Sequence, residues 1–139
     1  MNLLKTALVS LVLFSGVANA GSDLARYDCV FKAYGNKSEK SWVPSRLILS
    51  FEEAAGTATA YDDFIYYKFQ KPVRVEMHRE SEAKFRFTWP LTGLPMAANK
   101  SINARFTVRL NTARNTATIV VDIFGYDGTS RGEGTCKST

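Results

Sequence analysis

His78 is the only histidine of the chain and the first side chain to consider for catalysis. It lies between Glu76 and Glu80 in a segment that alternates polar and apolar residues. A nucleophile–histidine–acid mechanism needs its three groups within hydrogen-bonding reach, and the sequence places no serine or reduced cysteine beside His78. Because ordinary polar strand faces also supply such histidines, we predict a surface residue with no catalytic role.

Carboxylates are the second group with catalytic potential: Glu52, Glu53, Asp62, Asp63, Asp122 and Asp127. Glycosidases hold two carboxylates about 5 to 10 Å apart across a cleft, whereas adjacent strand residues point to opposite faces. A pair formed by Glu52 and Asp62 across a hairpin is the arrangement that would suit hydrolysis. Acidic residues are depleted in strand interiors and Asp is favoured in turns. We therefore predict strand ends and turns at these positions, no enzyme, no metal and no cofactor.

The glycine-rich segment 125–134 resembles a phosphate-binding loop in composition. Such loops aim backbone N–H groups and the start of a following helix at the anion. The next residues here, Thr135, Cys136 and Lys137, have the character of a strand. A turn followed by a flexible edge strand is the expected structure.

Two features favour binding instead of catalysis. The first is an aromatic run flanked by Lys68 and Lys71, comprising Tyr61, Phe64, Tyr66, Tyr67 and Phe69. Five rings in nine residues cannot all face inward from one extended segment, so one or two are expected to be exposed as a contact patch. The alternative is that the rings close one end of the fold.

The second feature is a set of basic residues on the polar faces of three successive strands: Arg74, Lys84, Arg86, Arg105 and Arg109. If these strands are neighbours in space, the side chains form a stripe that attracts an anionic partner. The alternative is a solvated face with cross-strand ion pairs, to which Glu76 and Glu80 would contribute.

Strict alternation of apolar and polar residues dominates the chain after residue 24 and predicts β-strands with one buried face. Eight strands are predicted, at residues 25–34, 45–51, 57–62, 73–78, 84–89, 103–110, 117–123 and 131–137. No stretch has the pattern of an amphipathic helix of ten or more residues. Short strands joined by tight turns predict an all-β fold, a small antiparallel up-and-down barrel. A two-sheet sandwich is the alternative, since alternation does not distinguish the two.

Residues 1–20 have the pattern of a cleaved secretory signal: Lys5, an apolar run, and small residues at Ala18 and Ala20. Residues 21–139 are then a single domain without a transmembrane segment, periplasmic or secreted. It is expected to be a monomer. The whole chain carries 18 basic and 13 acidic residues, a formal net charge of +5. In an oxidising compartment, Cys29 and Cys136 at opposite ends of the domain predict a disulfide between the terminal strands.

The opening Tyr27-Asp28-Cys29, together with a cysteine close to the end of the chain, resembles small periplasmic barrels of the lysozyme-inhibitor kind. The resemblance covers the chain ends and the strand count, and no site residue is carried over from it. The sequence thus predicts an exported, non-enzymatic protein that binds a protein or an anionic envelope polymer. The resemblance implies that it acts as an inhibitor. The alternative is a carrier of a small apolar ligand inside the barrel. Nucleic acid is not an expected partner of an exported protein.

Overall fold

The fold is a closed barrel of eight antiparallel strands, seen in a computed structural model that describes residues 23–35, 41–125 and 128–139. Each strand pairs with its neighbours in sequence, and the last strand returns to the first. The strands are β1 (Ala25–Ala33), β2 (Arg46–Glu52), β3 (Thr57–Tyr61), β4 (Val73–Arg79), β5 (Lys84–Pro95), β6 (Ser101–Asn111), β7 (Thr116–Ile123) and β8 (Thr129–Ser138). The predicted up-and-down barrel is therefore confirmed, and the sandwich is excluded. The predicted leader, residues 1–20, lies outside the described residues.

The alternation in sequence becomes an inside and an outside of the barrel. In β6, for example, Ala104, Phe106, Val108 and Leu110 are buried while Arg105 and Arg109 are exposed. The interior is filled by aromatic rings: Trp89 stacks on Phe106 with centroids 5.5 Å apart, and Phe51 packs against Phe85 and Phe87 at 5.0 and 5.2 Å. An eight-stranded barrel has an interior of the size that side chains can fill, and these rings supply the packed core.

Strand β5 continues beyond its predicted end at Trp89. Pro90 pairs with Arg105 of β6 and lies beyond Thr88, the last residue of β5 that pairs with β4, and the β5–β6 ladder then shifts between Leu91 and Leu94. Gly93 takes φ +67° at this irregularity and its N–H donates to Asn103 Oδ1 at 3.0 Å. A short 3-10 turn, Ala97–Asn99, then leads into β6.

The seam between β1 and β8 closes the barrel. Cys29 lies directly opposite Cys136, and the predicted disulfide joins them with the two Cα atoms 4.0 Å apart. Gly134 allows a close approach of the strands here, because a Cβ atom on it would lie 2.5 Å from the Val30 carbonyl oxygen and 2.8 Å from the Phe31 ring. Strand β8 pairs with both β7 and β1. The expectation of a flexible edge strand was therefore wrong.

Candidate functional site

The aromatic segment after β3 forms a short helix, α1 (Asp63–Phe69), and not the extended structure that the sequence suggested. Asp62 is its N-cap, and its Oδ1 accepts a hydrogen bond from the Ile65 N–H at 2.8 Å. Asp is among the strongest N-cap residues. Gln70 ends the helix in the left-handed conformation, and its N–H bonds to the Tyr66 carbonyl. The helix therefore has defined caps at both ends.

Helical geometry divides the aromatic segment into an inner and an outer side. Ile65 is fully buried, and the half-buried Phe64 packs against Trp42 and Phe106 at centroid distances of 5.6 and 6.0 Å. Tyr61, at the end of β3, lies edge-on to Tyr66 at 6.3 Å. The inner side thus covers one end of the barrel, as the alternative interpretation of the aromatic run expected.

The outer side of α1 presents rings to solvent. Tyr66, Tyr67 and Phe69 have 55%, 67% and 42% of their surface exposed. Lys68 Nζ lies 5.8 Å from the centre of the Phe69 ring and donates to Thr92 Oγ1 at 3.2 Å. Three rings of the aromatic run are therefore exposed where one or two were expected, and their role as a contact patch stays a prediction.

Two further exposed aromatics lie at the same end of the barrel. Tyr34 follows the last residue of β1, and Phe124 follows the last residue of β7. Because β1 and β7 run toward the end that α1 covers, five exposed rings share one end of the barrel. We call this set the aromatic end: Tyr34, Tyr66, Tyr67, Phe69 and Phe124. Among the described residues, two other large apolar side chains are as exposed: Leu24, just before β1, and Val30, on the outer wall within β1.

The predicted contact residues did not include Tyr34 and Phe124. The Tyr34 hydroxyl donates to Glu133 Oε2 at 2.8 Å, and this hydrogen bond raises the pKa of Tyr34. The guanidinium of Arg105 lies 5.5 Å from the centre of the Phe124 ring. In the sequence, each of these two aromatic residues directly follows the last alternating position of a strand. Strand ends cannot be located accurately enough from sequence for this position to predict an exposed ring.

The predicted basic residues lie on the outer face of β4, β5 and β6, which are neighbours in the sheet. Arg86 and Arg109 face each other across β5 and β6. Both contact Glu80 Oε1, at 3.6 Å and 3.2 Å. Arg86 and Arg109 are therefore neighbours that Glu80 partly neutralises, whereas Arg105 lies four residues along β6 from Arg109, opposite Pro90. Arg74 and Lys84 make no ion pair with any described residue.

Asp62 is the one charged residue that the barrel buries among the described residues. Loss of hydration raises its pKa to about 6, against the opposing effect of hydrogen bonds from the backbone N–H groups of Ile65 and Phe64. Asp28 shows the reverse behaviour on the outer face, because its hydrogen bonds with Arg46 lower its pKa. A raised pKa can mark a functional group. The capping hydrogen bond gives Asp62 a structural role, as the N-cap of α1.

The predicted catalytic candidates do not come together. Glu52 and Asp62 lie at opposite ends of the β2–β3 hairpin, because Glu52 pairs with Thr57 and Tyr61 pairs with Ile48. His78 is exposed on the outer face of β4, opposite Arg86. Asp127 lies outside the described residues. Within the described part of the chain, no group of three or more His, Cys, Asp or Glu side chains is placed to hold a metal ion.

No helix in the described ranges is long and apolar enough to span a membrane. Comparison of the chain with protein-family models, with curated proteins and with solved structures finds no match. The fold defines a class, the closed eight-stranded up-and-down barrel with its first and last strands joined by a disulfide. The arguments about function therefore rest on this chain's own residues.

Proposed function

We propose that the protein is an exported, non-enzymatic binding protein that contacts a macromolecular partner in the cell envelope through its aromatic end. The observation that carries this proposal is the position of the exposed rings: five of the seven exposed large apolar side chains in the described residues lie at one end of the barrel. Tyr and other aromatic residues are enriched in interface hot spots.

The chemistry of the aromatic end indicates what it fits. Tyr66 and Tyr67 offer flat apolar faces with a polar tip, and such side chains contribute large contact area at low entropic cost. Lys68 and the exposed Lys71 lie beside them. A partner with apolar pockets bordered by acidic groups would complement this surface.

A cell-wall lytic enzyme is the first partner to test. The resemblance of the chain ends to lysozyme-inhibitor barrels suggests it, and enzymes that cleave glycosidic bonds carry carboxylates in a cleft. The packed rings of Trp89, Phe106 and Phe51 occupy the barrel interior, so no observation favours the alternative of an apolar ligand carrier.

Photocrosslinking tests the proposal. The photoreactive amino acid p-benzoylphenylalanine replaces Tyr67 in one variant and Val30 in a second, and each protein is irradiated in an envelope extract. Val30 is a matched control, because it is 57% exposed but lies on the barrel wall in β1. We expect discrete adducts from position 67. An excess of unlabelled wild-type protein should suppress these adducts, whereas an excess of the Tyr66→Ala/Tyr67→Ala protein should suppress them poorly.

Adducts that are equal at both positions, or that the double variant competes for as well as the wild type does, contradict the proposal. The inhibitor version has its own test: the mature protein is added to a cell-wall lytic enzyme acting on peptidoglycan, with the double variant as control. Unchanged turnover removes that version and leaves the general proposal to the crosslinking result.

A further inference from the structure

The rings of the aromatic end stand at three separate points around the rim of the barrel. Tyr34 follows β1, Phe124 follows β7, and the other three rings belong to α1, between β3 and β4. In a closed barrel of eight strands, strands that are four apart in order lie on opposite sides, so β7 lies across the barrel from β3. Phe124 therefore stands across the rim from the point at which the chain enters α1. A partner that contacts all the rings at once has to extend across the whole end of the barrel.

The exposed charges beside these rings are mostly positive. In the described connections at this end, the exposed charged residues are Asp63, Lys68, Lys71 and Lys100. None of the three lysines forms an ion pair with a described residue. Lysine can lay its apolar stem along a nonpolar surface while its ammonium group stays in a polar layer. The end therefore complements a surface that is both anionic and partly apolar.

The turns at the opposite end of the barrel have the reverse composition. Residues 53–56, 80–83 and 112–115 contain no large apolar residue, and their charged residues are Glu53, Glu80, Glu82 and Arg114. Two of these glutamates, Glu53 and Glu80, pair with arginines of the neighbouring strands. An anionic surface would attract the lysines of one end and repel the free acidic group of the other, so it would orient the barrel with the aromatic end toward it.

A lipid bilayer surface has the required width as well as the required chemistry. Its headgroup layer extends far beyond the diameter of a small barrel, and amphipathic rings such as that of Tyr are enriched at this depth. Anionic lipids attract nearby lysines and arginines. A protein with pockets for Tyr66 and Tyr67 could bind α1 alone, whereas a flat layer reaches Phe124 and Tyr34 as well. The distribution of the rings around the rim therefore favours the bilayer.

We propose that the aromatic end docks the protein on the surface of an anionic lipid bilayer, with its rings in the headgroup layer and its lysines against the lipid phosphates. The inference rests on the proposed function in taking the aromatic end as the contact surface, and it names the partner of that surface. Two contributions add in this mode of binding, the burial of apolar ring surface and the attraction of each lysine. Binding should therefore depend on both.

Vesicle sedimentation tests the charge contribution with the mature, oxidised protein. One set of vesicles contains phosphatidylcholine with about one quarter phosphatidylglycerol, and the other contains phosphatidylcholine alone. We expect the protein to bind the anionic vesicles at least about tenfold more tightly than the neutral ones, and to lose most of this difference at about 0.5 M salt. Lys71→Ser should weaken binding to anionic vesicles about fivefold. Arg114→Ser, which removes an unpaired cation from a turn at the opposite end, is the matched control and should leave binding unchanged.

Ring substitutions test the apolar contribution in the same assay. The Tyr66→Ala/Tyr67→Ala protein should bind anionic vesicles about tenfold more weakly, because it buries less apolar surface in the headgroup layer. Phe124→Ala should weaken binding about threefold for the same reason. This second loss is specific to a partner that spans the rim, since a partner bound to α1 alone would not respond to Phe124.

Fluorescence quenching shows whether a ring enters the lipid. Tyr67→Trp and Val30→Trp each place a new indole at an exposed position, one on α1 and one on the barrel wall in β1. The native Trp42 and Trp89 are buried and give the same background in both proteins. With anionic vesicles that contain lipid brominated on its acyl chains, we expect quenching of the indole at position 67 and none at position 30.

Four results overturn the inference: no sedimentation with anionic vesicles, equal binding to both kinds of vesicle, equal weakening by Lys71→Ser and Arg114→Ser, or no quenching at position 67. If one of these is found while position 67 still gives discrete protein adducts in the envelope extract, the proposed function stands with a protein as the partner. If the vesicle results are as expected and the extract gives no adducts above the Val30 control, the protein partner is removed and the bilayer inference stands.

Discussion

Raising the pH should destabilise the protein through one buried carboxylate, that of Asp62. Burial raises its pKa from 3.8 to about 6. One oxygen accepts the capping hydrogen bond from Ile65, while the other has no hydrogen-bond partner in the described structure. The protonated form therefore suits the folded state better than the charged form does.

The sign and size of the effect follow from linkage. The pKa is higher in the folded state, so the stabilisation is fully present below about pH 3.8 and is lost as the pH rises through about 6. Each pKa unit is worth about 1.4 kcal/mol, so the separation between the two values corresponds to about 3 kcal/mol. Between about pH 4 and about pH 7.5, Asp62 should remove about 2 to 3 kcal/mol from the free energy of unfolding.

Urea unfolding at several pH values isolates this contribution, if the wild type is compared with the variant Asp62→Asn. Asn keeps the carbonyl oxygen that accepts from Ile65 and is an equally good N-cap, but it does not ionise. The difference in unfolding free energy between the two proteins cancels the other titrating groups. We expect Asp62→Asn to gain about 2 to 3 kcal/mol relative to the wild type as the pH rises over that interval.

The exposed neighbour Asp63 provides the matched control. Asp63→Asn removes a carboxylate from the first turn of α1 whose charge is the smallest of the causes that shift the pKa of Asp62, so it should retain most of the wild-type pH dependence. If the difference between wild type and Asp62→Asn stays constant with pH, or changes in the opposite direction, the argument from burial is refuted.

Three further changes test the barrel itself. Reduction of the Cys29–Cys136 disulfide, which links residues 107 positions apart, should lower the unfolding free energy by about 4 to 5 kcal/mol. Urea unfolding with and without reductant measures this difference. The variant with alanine at both cysteine positions should not respond to reductant. Gly134→Ala should lower the unfolding free energy by about 2 kcal/mol or more, because the added Cβ meets the β1 backbone. Gly128→Ala, with open space around it, is the control and should stay within about 0.5 kcal/mol of the wild type. Thermal unfolding measures both. Phe106→Ala removes a fully buried ring that stacks on Trp89 and should cost about 3 to 5 kcal/mol, measured in the same way; a loss below about 1 kcal/mol would show that the interior is not packed as described.

The strands were predictable because each buries one face over most of its length. Alternation in segments such as Val73 to Met77 and Phe85 to Trp89 reports burial directly, and polar turns such as the one after Leu110 fix where the chain reverses. The disulfide was predictable from the expected export of the protein and from the positions of Cys29 and Cys136. Alternation could not predict whether the sheet closes, because it is the same in a barrel and in a sandwich. The β1–β8 pairing in the structure shows that the sheet closes into a barrel.

Helix α1 escaped prediction because its signals are short and its aromatic residues favour strands. Asp62 before Asp63, and Pro72 beyond Gln70, mark a helix start and stop, but seven residues give too few turns for a helical period to stand out. The aromatic end could not be predicted as a unit, since it joins residues from three separate connections that only the closed barrel brings to one end.

The aromatic end arises where the regular barrel is interrupted after β3. This strand has five residues, the fewest of the eight. After it, α1 replaces a tight hairpin turn and carries exposed rings that a two-residue turn could not display. Beneath them, Phe64 packs against Trp42 and Phe106, so α1 rests on the barrel core. Substitutions at Tyr66 and Tyr67 should therefore change binding without repacking the interior, in which neither ring is buried.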